Sequence, residues 1–242
     1  MVKYYLLFVS FMLLLMGCKS ATLHHVTQTT TTQQIMLGSV GLDKDFVLQT
    51  SFNSAAIPTY KEPVKLSVLS LPFNKQLHKR FLKAKASQST QVNINYIDSL
   101  EVKPKYLQLK IADKVTVIEA LNNDSNQGIK NYLGHDKTAN IITGISIAFN
   151  TQDLELIQQA DAVFLIEKGL KNYALQLYKE HVKIETLWFS KGVVFAFETA
   201  HCCWQENNRH KLDIVDFVSD FNNCPNKTYR NTERAKKDKN PF

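Results

Sequence analysis

Glycine and proline are scarce in this chain. Eight glycines and six prolines in 242 residues are about half the usual usage, which excludes collagen-like, Gly-linker and Pro-rich architectures. The glycines never fall at G-x-G spacing, and neither Gly128 nor Gly134 is directly followed by a Lys-Ser/Thr pair. Dinucleotide fingerprints and phosphate-binding P-loops are therefore absent. So are H-E-x-x-H and S-x-x-K. Gly144-Ile145-Ser146-Ile147-Ala148 has no second glycine and lies within a strand pattern, whereas a nucleophile elbow needs a sharp strand-to-helix turn. No apolar run approaches the ~20 residues that cross a bilayer.

What is present begins with an address. After a short positive start comes Tyr4 to Met16, 13 residues that are apolar apart from Ser10 and the tyrosine hydroxyls. As a helix this run reaches only about 20 Å, the length of a signal-peptide core. It ends Leu15-Met16-Gly17-Cys18-Lys19-Ser20, with Leu three before a cysteine and a small residue directly before it. This resembles the bacterial lipoprotein signal, with Met16 a departure from the commoner residue at its position. The resemblance covers about 20 residues. It implies cleavage before Cys18, acylation of the new terminus with palmitate-type chains, and attachment that a single chain would not hold. Lys19 stands where the family has Asp when a lipoprotein stays at the inner membrane, so the resemblance implies the outer membrane.

With Cys18 lipidated, three cysteines remain: Cys202, Cys203 and Cys224. The implied compartment is oxidising, so thiols that can pair do pair. Adjacent cysteines do not bridge each other readily. Cys224 therefore pairs with Cys202 or Cys203, and Cys203 is preferred because it is nearer a strand end. One thiol is left over, as a buried core cysteine or as part of a site with His201 and His210. Zinc ligands usually space their cysteines by two or more residues, and no C-x-x-C occurs, so neither metal nor cofactor is expected.

Four segments follow. Residues 1–17 are the signal peptide. Residues 18–41 hold the lipidated Cys18 and a Thr/Gln-rich stretch, Val26 to Gln34, too polar to order itself and expected to be a flexible tether. Residues 42–224 make one α+β domain. Residues 225–242 carry six basic side chains against Glu233 and Asp238 and are expected to be a disordered basic tail. The net charge of +7 thus resides mainly in the ends.

Within the domain, alternating or β-branched runs predict strands at Val64–Val68, Gln91–Ile97, Tyr106–Ile111, Ala139–Phe149, Ala162–Glu167, Tyr173–Tyr178, Val182–Phe189 and Gly192–Trp204. The last four are joined by hairpin-length links, which predicts an antiparallel meander of four or five strands in the second half. A few short helices pack on it: Lys75–Ala86, a turn or two after the Asp113 N-cap, and Lys211–Phe221. In the last strand Val193, Phe195, Phe197 and Thr199 face one way and Val194, Ala196, Glu198 and Ala200 the other. Both faces are apolar, so this strand is expected to be covered on both sides.

Glu198 is the one charge in that run, and with His201 and Cys202 it forms the candidate polar cluster. Its structural alternative is a carboxylate paired with a lysine. His135-Asp136 is a second acid-base pair, in a turn-rich loop. Lys75, Lys79, Arg80, Lys83 and Lys85 give the first helix five positive charges and no acid, a weak candidate for an anionic surface. Together these features predict a lipid-anchored cell-envelope protein that is a binding or assembly module and not an enzyme. Its partners are the membrane through its N-terminal lipid and another envelope protein or an anionic surface, not nucleic acid. The alternative is an envelope hydrolase or thiol-dependent enzyme using Glu198, His201 and Cys202 or Cys203.

Overall fold

The computed structural model describes residues 28–46, 49–169, 172–219 and 222–237. The signal segment, Cys18, the tether as far as residue 27 and the tail from 238 lie outside the described residues. The elements are β1 (Thr29–Thr30), β2 (Val40–Phe46), β3 (Gln49–Ala56), β4 (Val64–Pro72), α1 (Lys75–Ser87), β5 (Lys105–Ile111), α2 (Lys114–Asn122), α3 (Gln127–His135), β6 (Ala139–Ala148), α4 (Thr151–Gln159), β7 (Ala162–Glu167), β8 (Tyr173–Lys179), β9 (Val182–Trp188), β10 (Val193–Glu206), β11 (Leu212–Val218) and α5 (Thr232–Lys237). The fold is α+β, with one large antiparallel sheet. Three helices start where short polar side chains can take a free backbone N–H. Asn74 accepts from Leu77 N at 2.8 Å, Asp113 from Thr116 N at 3.0 Å and Asn150 from Asp153 N at 2.8 Å.

The strand order is β1-β10-β6-β5-β4-β7-β8-β9, with β11 on β10 and the β2–β3 hairpin on β6. β9 ends this series and β10 stands next to its other end, yet the two are joined by the short link Phe189–Gly192. Laid flat, the seven strands from β10 to β9 would hold the two about 29 Å apart. Five residue steps reach at most about 17 Å. The sheet must therefore curl. Its concave side holds the main core, including Leu107, Leu109, Ile145, Ile147, Leu165, Leu175, Leu177, Leu187 and Phe197, closed by Val117 and Leu121 of α2, Leu133 of α3 and Ile157 of α4.

The convex face carries a second, aromatic cluster under α1. Phe73, Phe81, Tyr106 and Phe195 are all buried there. Ring centroids are 5.1 Å apart for Phe73–Tyr106 and 5.2 Å for Tyr106–Phe195, pairings worth about 1 kcal/mol each beyond their buried area. Beside it β10 bulges between Val194 and Ala196. The β1 pairing stops at Ala196, and Gln88 at the end of α1 serves the backbone of Val194 beyond it, donating to Val194 O at 2.7 Å and accepting from Val194 N at 3.1 Å. A buried main-chain group left without such a partner is costly.

Several expectations from the sequence are corrected. The bulge breaks the strict alternation of β10: Phe195 and Ala196 both join the convex cluster, while Val194 and Phe197 turn to the core. The meander is three strands long, β7-β8-β9, because the Ser190–Gly192 link sends the chain across the seam instead of into a hairpin. Gln91–Ile97 is not a strand; Val92, Ile94 and Tyr96 still share one apolar side, but they pack along α1, where Lys85 bonds Asn93 and His78 stacks on Tyr96. In the segment Lys211–Phe221, expected as a helix, the described residues Leu212–Val218 are a strand. Ile214, Val215, Phe217 and Val218 are strand-prone types, and the free half of β10 pairs with them as β11.

Both expected flexible ends are shorter than the sequence suggests. From Gln28 onward the tether belongs to the fold: β1 pairs with β10, Gln34 Nε2 donates to Phe189 O at 3.1 Å, and Ile35, Leu37 and Val40 are buried. Its apolar side chains are few but well spaced, and the seam between β9 and β10 gives them a place. At the other end Tyr229 forms a two-bond bridge with Trp204, Arg230 donates to the carbonyls of Ser219 and Asn222, and Ala235 of α5 is buried.

Cys203 and Cys224 form the expected disulfide, with Cα atoms 5.7 Å apart and a sequence separation of 21. It joins β10 to the start of this C-terminal segment. Closing a loop of that length stabilises by about 3 kcal/mol in the chain-entropy model. Cys224→Ser is expected to lower the melting temperature by several degrees in calorimetry, and a reducing agent should lower the wild type to the same value while leaving the variant unmoved.

Candidate functional site

Glu198 stands on the convex face of β10, and its side chain is 9% exposed. Oε2 lies 2.9 Å from Lys110 Nζ, and Oε1 accepts from Gln28 Nε2 and Gln108 Nε2, both at 2.9 Å. Ser146 Oγ donates to Gln28 Oε1 at 2.6 Å. Gly144, directly opposite on β6, makes the room: a Cβ there would meet Glu198 Oε2 at 3.1 Å. A buried charge is tolerated when paired and fully hydrogen-bonded, and this one is. The lysine-paired alternative therefore describes Glu198. Sequence reasoning missed its partners Lys110, Gln108 and Gln28 because they come from distant segments.

Glu198, His201 and Cys202 do not form the expected cluster. Cys202 faces the concave core, against the opposite side of β10 from Glu198. His201 is half-buried opposite Val218 of β11. Burial pushes the Cys202 thiol up to about 12, far from the range where a thiolate attacks or binds metal. Among the described residues no group of three His, Cys, Asp or Glu side chains is close enough to hold a metal ion.

His135 and Asp136 also part. Asp136 accepts from Thr138 N at 2.9 Å and from its hydroxyl at 2.7 Å. These bonds hold the carboxyl below its usual range, and the side chain is spent on the turn. On α1, Lys75, Lys79, Arg80 and Lys83 are exposed while Lys85 is half-buried. They stand on a convex helix, not around a concavity.

The cationic concavity lies elsewhere, at the far end of β10. About 30 Å along the strand from Phe195, a groove of roughly 620 Å³ opens between α3, the β10–β11 turn and the C-terminal segment. Its walls carry Lys137, Lys211 and Lys236, the imidazoles of His135 and His210, and the single carboxylate of Glu233. The edge of the buried Trp204 ring and Leu212 form its floor. Beneath, buried Lys130 binds Asp213 Oδ1 at 2.8 Å while Asn207 donates to Oδ2 at 2.7 Å. Burial works against the Asp213 charge, but these bonds and the nearby lysine charges outweigh it and hold the carboxyl below its ordinary range. His210, at positive φ in the turn, is fixed by Glu206, 2.9 Å from its Nδ1.

A second hollow of roughly 490 Å³ lies over β4, β7 and β8, with Phe164 and Tyr178 edge to face in its wall. It lacks the one-signed charge of the groove, since Lys65 and His181 line it together with Asp161 and Glu180. The groove was illegible in the sequence for a definite reason: its third wall is the segment read as a disordered tail.

No family model, curated protein or solved structure matches this chain. Among the described residues no helix is long and apolar enough to cross a membrane.

Two outcomes are expected from the β10 side chains. Glu198→Ala strands Lys110 beside unfilled amides and should cost about 3 kcal/mol, measured by denaturant unfolding; Lys110→Met in that background should recover part of the loss. Cys202 in the folded protein should resist alkylation at pH 8 and react within minutes once denatured, as read by intact mass.

Proposed function

We propose that this chain is a lipid-anchored protein of the bacterial cell envelope, held at the outer membrane through Cys18, whose folded domain is a non-enzymatic binding or assembly module. The observation that carries the reading is the open cationic groove. It gathers exposed ammonium groups, amides and an apolar floor, the mixture typical of ligand sites. The side chains best suited to chemistry on β10 are instead committed: Glu198 to Lys110 and Cys202 to the core.

The anchor reading rests on the signal run and on Leu15-Met16-Gly17-Cys18. The point where the described chain enters the fold is compatible with it. Gln28 lies on the convex face beside β10, the face that α1 covers. A membrane reached through this segment would stand on the side of the exposed lysines of α1, which would then contact anionic headgroups. Groove and membrane contact are separated along β10, so an anchored domain keeps the groove open to another envelope component.

Cys18→Ser is expected to move the protein from the membrane fraction to the soluble fraction and to remove the mass of the acyl chains, with the melting temperature of the domain unchanged. Retention of Cys18→Ser in the membrane after a salt wash, with the wild type lacking acyl mass, would sink the anchor.

A further inference from the structure

The geometry points to an anionic glycan as the occupant of the groove, sugar rings that carry phosphate or carboxylate. This inference rests on the reading of the groove as the module's binding site.

Charge comes first. The exposed ammoniums of Lys137, Lys211 and Lys236 against the carboxylate of Glu233 leave a net charge of +2 on the lining, and His210 adds nothing to it because the Glu206 carboxylate lies 2.9 Å from its Nδ1. Lys130 does not add to this, because Asp213 neutralises it. Three cations on three separate elements, the loop after α3, the β10–β11 turn and α5, converge on one hollow. Such an arrangement focuses positive potential where water is partly displaced.

The polar lining argues for a ligand richer than a simple anion. Gln127 Nε2 donates to Asn131 Oδ1 at 2.8 Å, which leaves Gln127 Oε1 as an acceptor and Asn131 Nδ2 as a donor. Asn231 Oδ1 is taken by Glu233 N at 2.8 Å, which leaves its Nδ2. Donors and acceptors interleaved in this way suit hydroxyl groups, which need both. The floor supplies the third component. Leu212 and the narrow outer edge of the buried Trp204 ring are its apolar part, and the Thr232 methyl packs over Gly134, 3.3 Å from where a Cβ would stand. Sugar rings bring C–H faces to such a floor. The volume of roughly 620 Å³ sits within the ~300–1,000 Å³ of small-ligand sites. An acyl chain fits poorly, because the walls are polar throughout.

The test is titration calorimetry on the full chain in detergent, with a phosphorylated disaccharide, a uronic-acid disaccharide and the uncharged parent of each. At least one charged sugar is expected to bind ten or more times tighter than its parent, and the affinity should fall as salt rises. The arm that binds distinguishes phosphate from carboxylate. Lys137→Glu and Lys236→Glu should each weaken binding at least tenfold with unchanged melting temperature, while Lys83→Glu on α1 should not change it. Parents that bind as tightly as the charged sugars, failure of all four sugars, or charge reversals without effect would overturn the inference. A photo-crosslinking residue at Asn131 in intact cells separates this from failure of the module itself. A protein adduct there with no sugar binding overturns the glycan alone, and absence of any adduct together with no sugar binding overturns both.

Discussion

Five residue steps between Trp188 and Val193 close a gap that a flat sheet would hold at about 29 Å. Most of the molecule follows from that constraint. Curling gives the sheet a concave side that its own leucines and isoleucines fill, and α2, α3 and α4 close the open end. It also leaves a seam between the first and last strands. The segment 31–39 crosses that seam, with Ile35 and Leu37 buried and with Gly38 N and Ser39 O bonded to Ile142 of β6. Without the curl those residues would be the polar leash that their composition suggests.

β10 bears the consequences along its whole length. Its first half is sandwiched between the core and the aromatic cluster under α1. The middle holds Glu198 in a closed set of hydrogen bonds and an ion pair. Its last third leaves β6 and takes β11 on one edge and the Tyr229 bridge beside it. The irregularities at Val194/Ala196, Glu198/Thr199 and Cys203/Trp204 are where one strand changes what it serves. A bulge bends a strand and re-aims its side chains, so one element reaches from the convex helix to the groove.

Charge in this protein is placed by tertiary partners more than by local sequence. Lys110 and Lys130 look like ordinary surface lysines, yet each meets a carboxylate brought from 83 or more positions away. The basic side chains of α1 look like a binding site because five of them share one helix with no acid, but they form no hollow. Lys137, Lys211 and Lys236 are unremarkable in sequence and converge only because α3, the β10–β11 turn and α5 meet.

The sequence alone determined the α+β class, the boundaries of β4 to β10 within a residue or a few, the Asp113 cap and the preference for Cys203 as partner of Cys224. Those features are local: periodicity, capping and chain proximity read out within a few residues. Tertiary structure decided the rest. Whether Lys211–Phe221 became helix or strand depended on a free edge of β10, since β-branched segments adopt whichever pairing is offered. Whether the tail was loose or ordered depended on Trp204 and the disulfide. Whether Glu198 was reactive or neutralised depended on Lys110, 88 residues away. Long-range contacts carry no periodic trace in the chain, so the groove, which consists only of them, became visible in the fold.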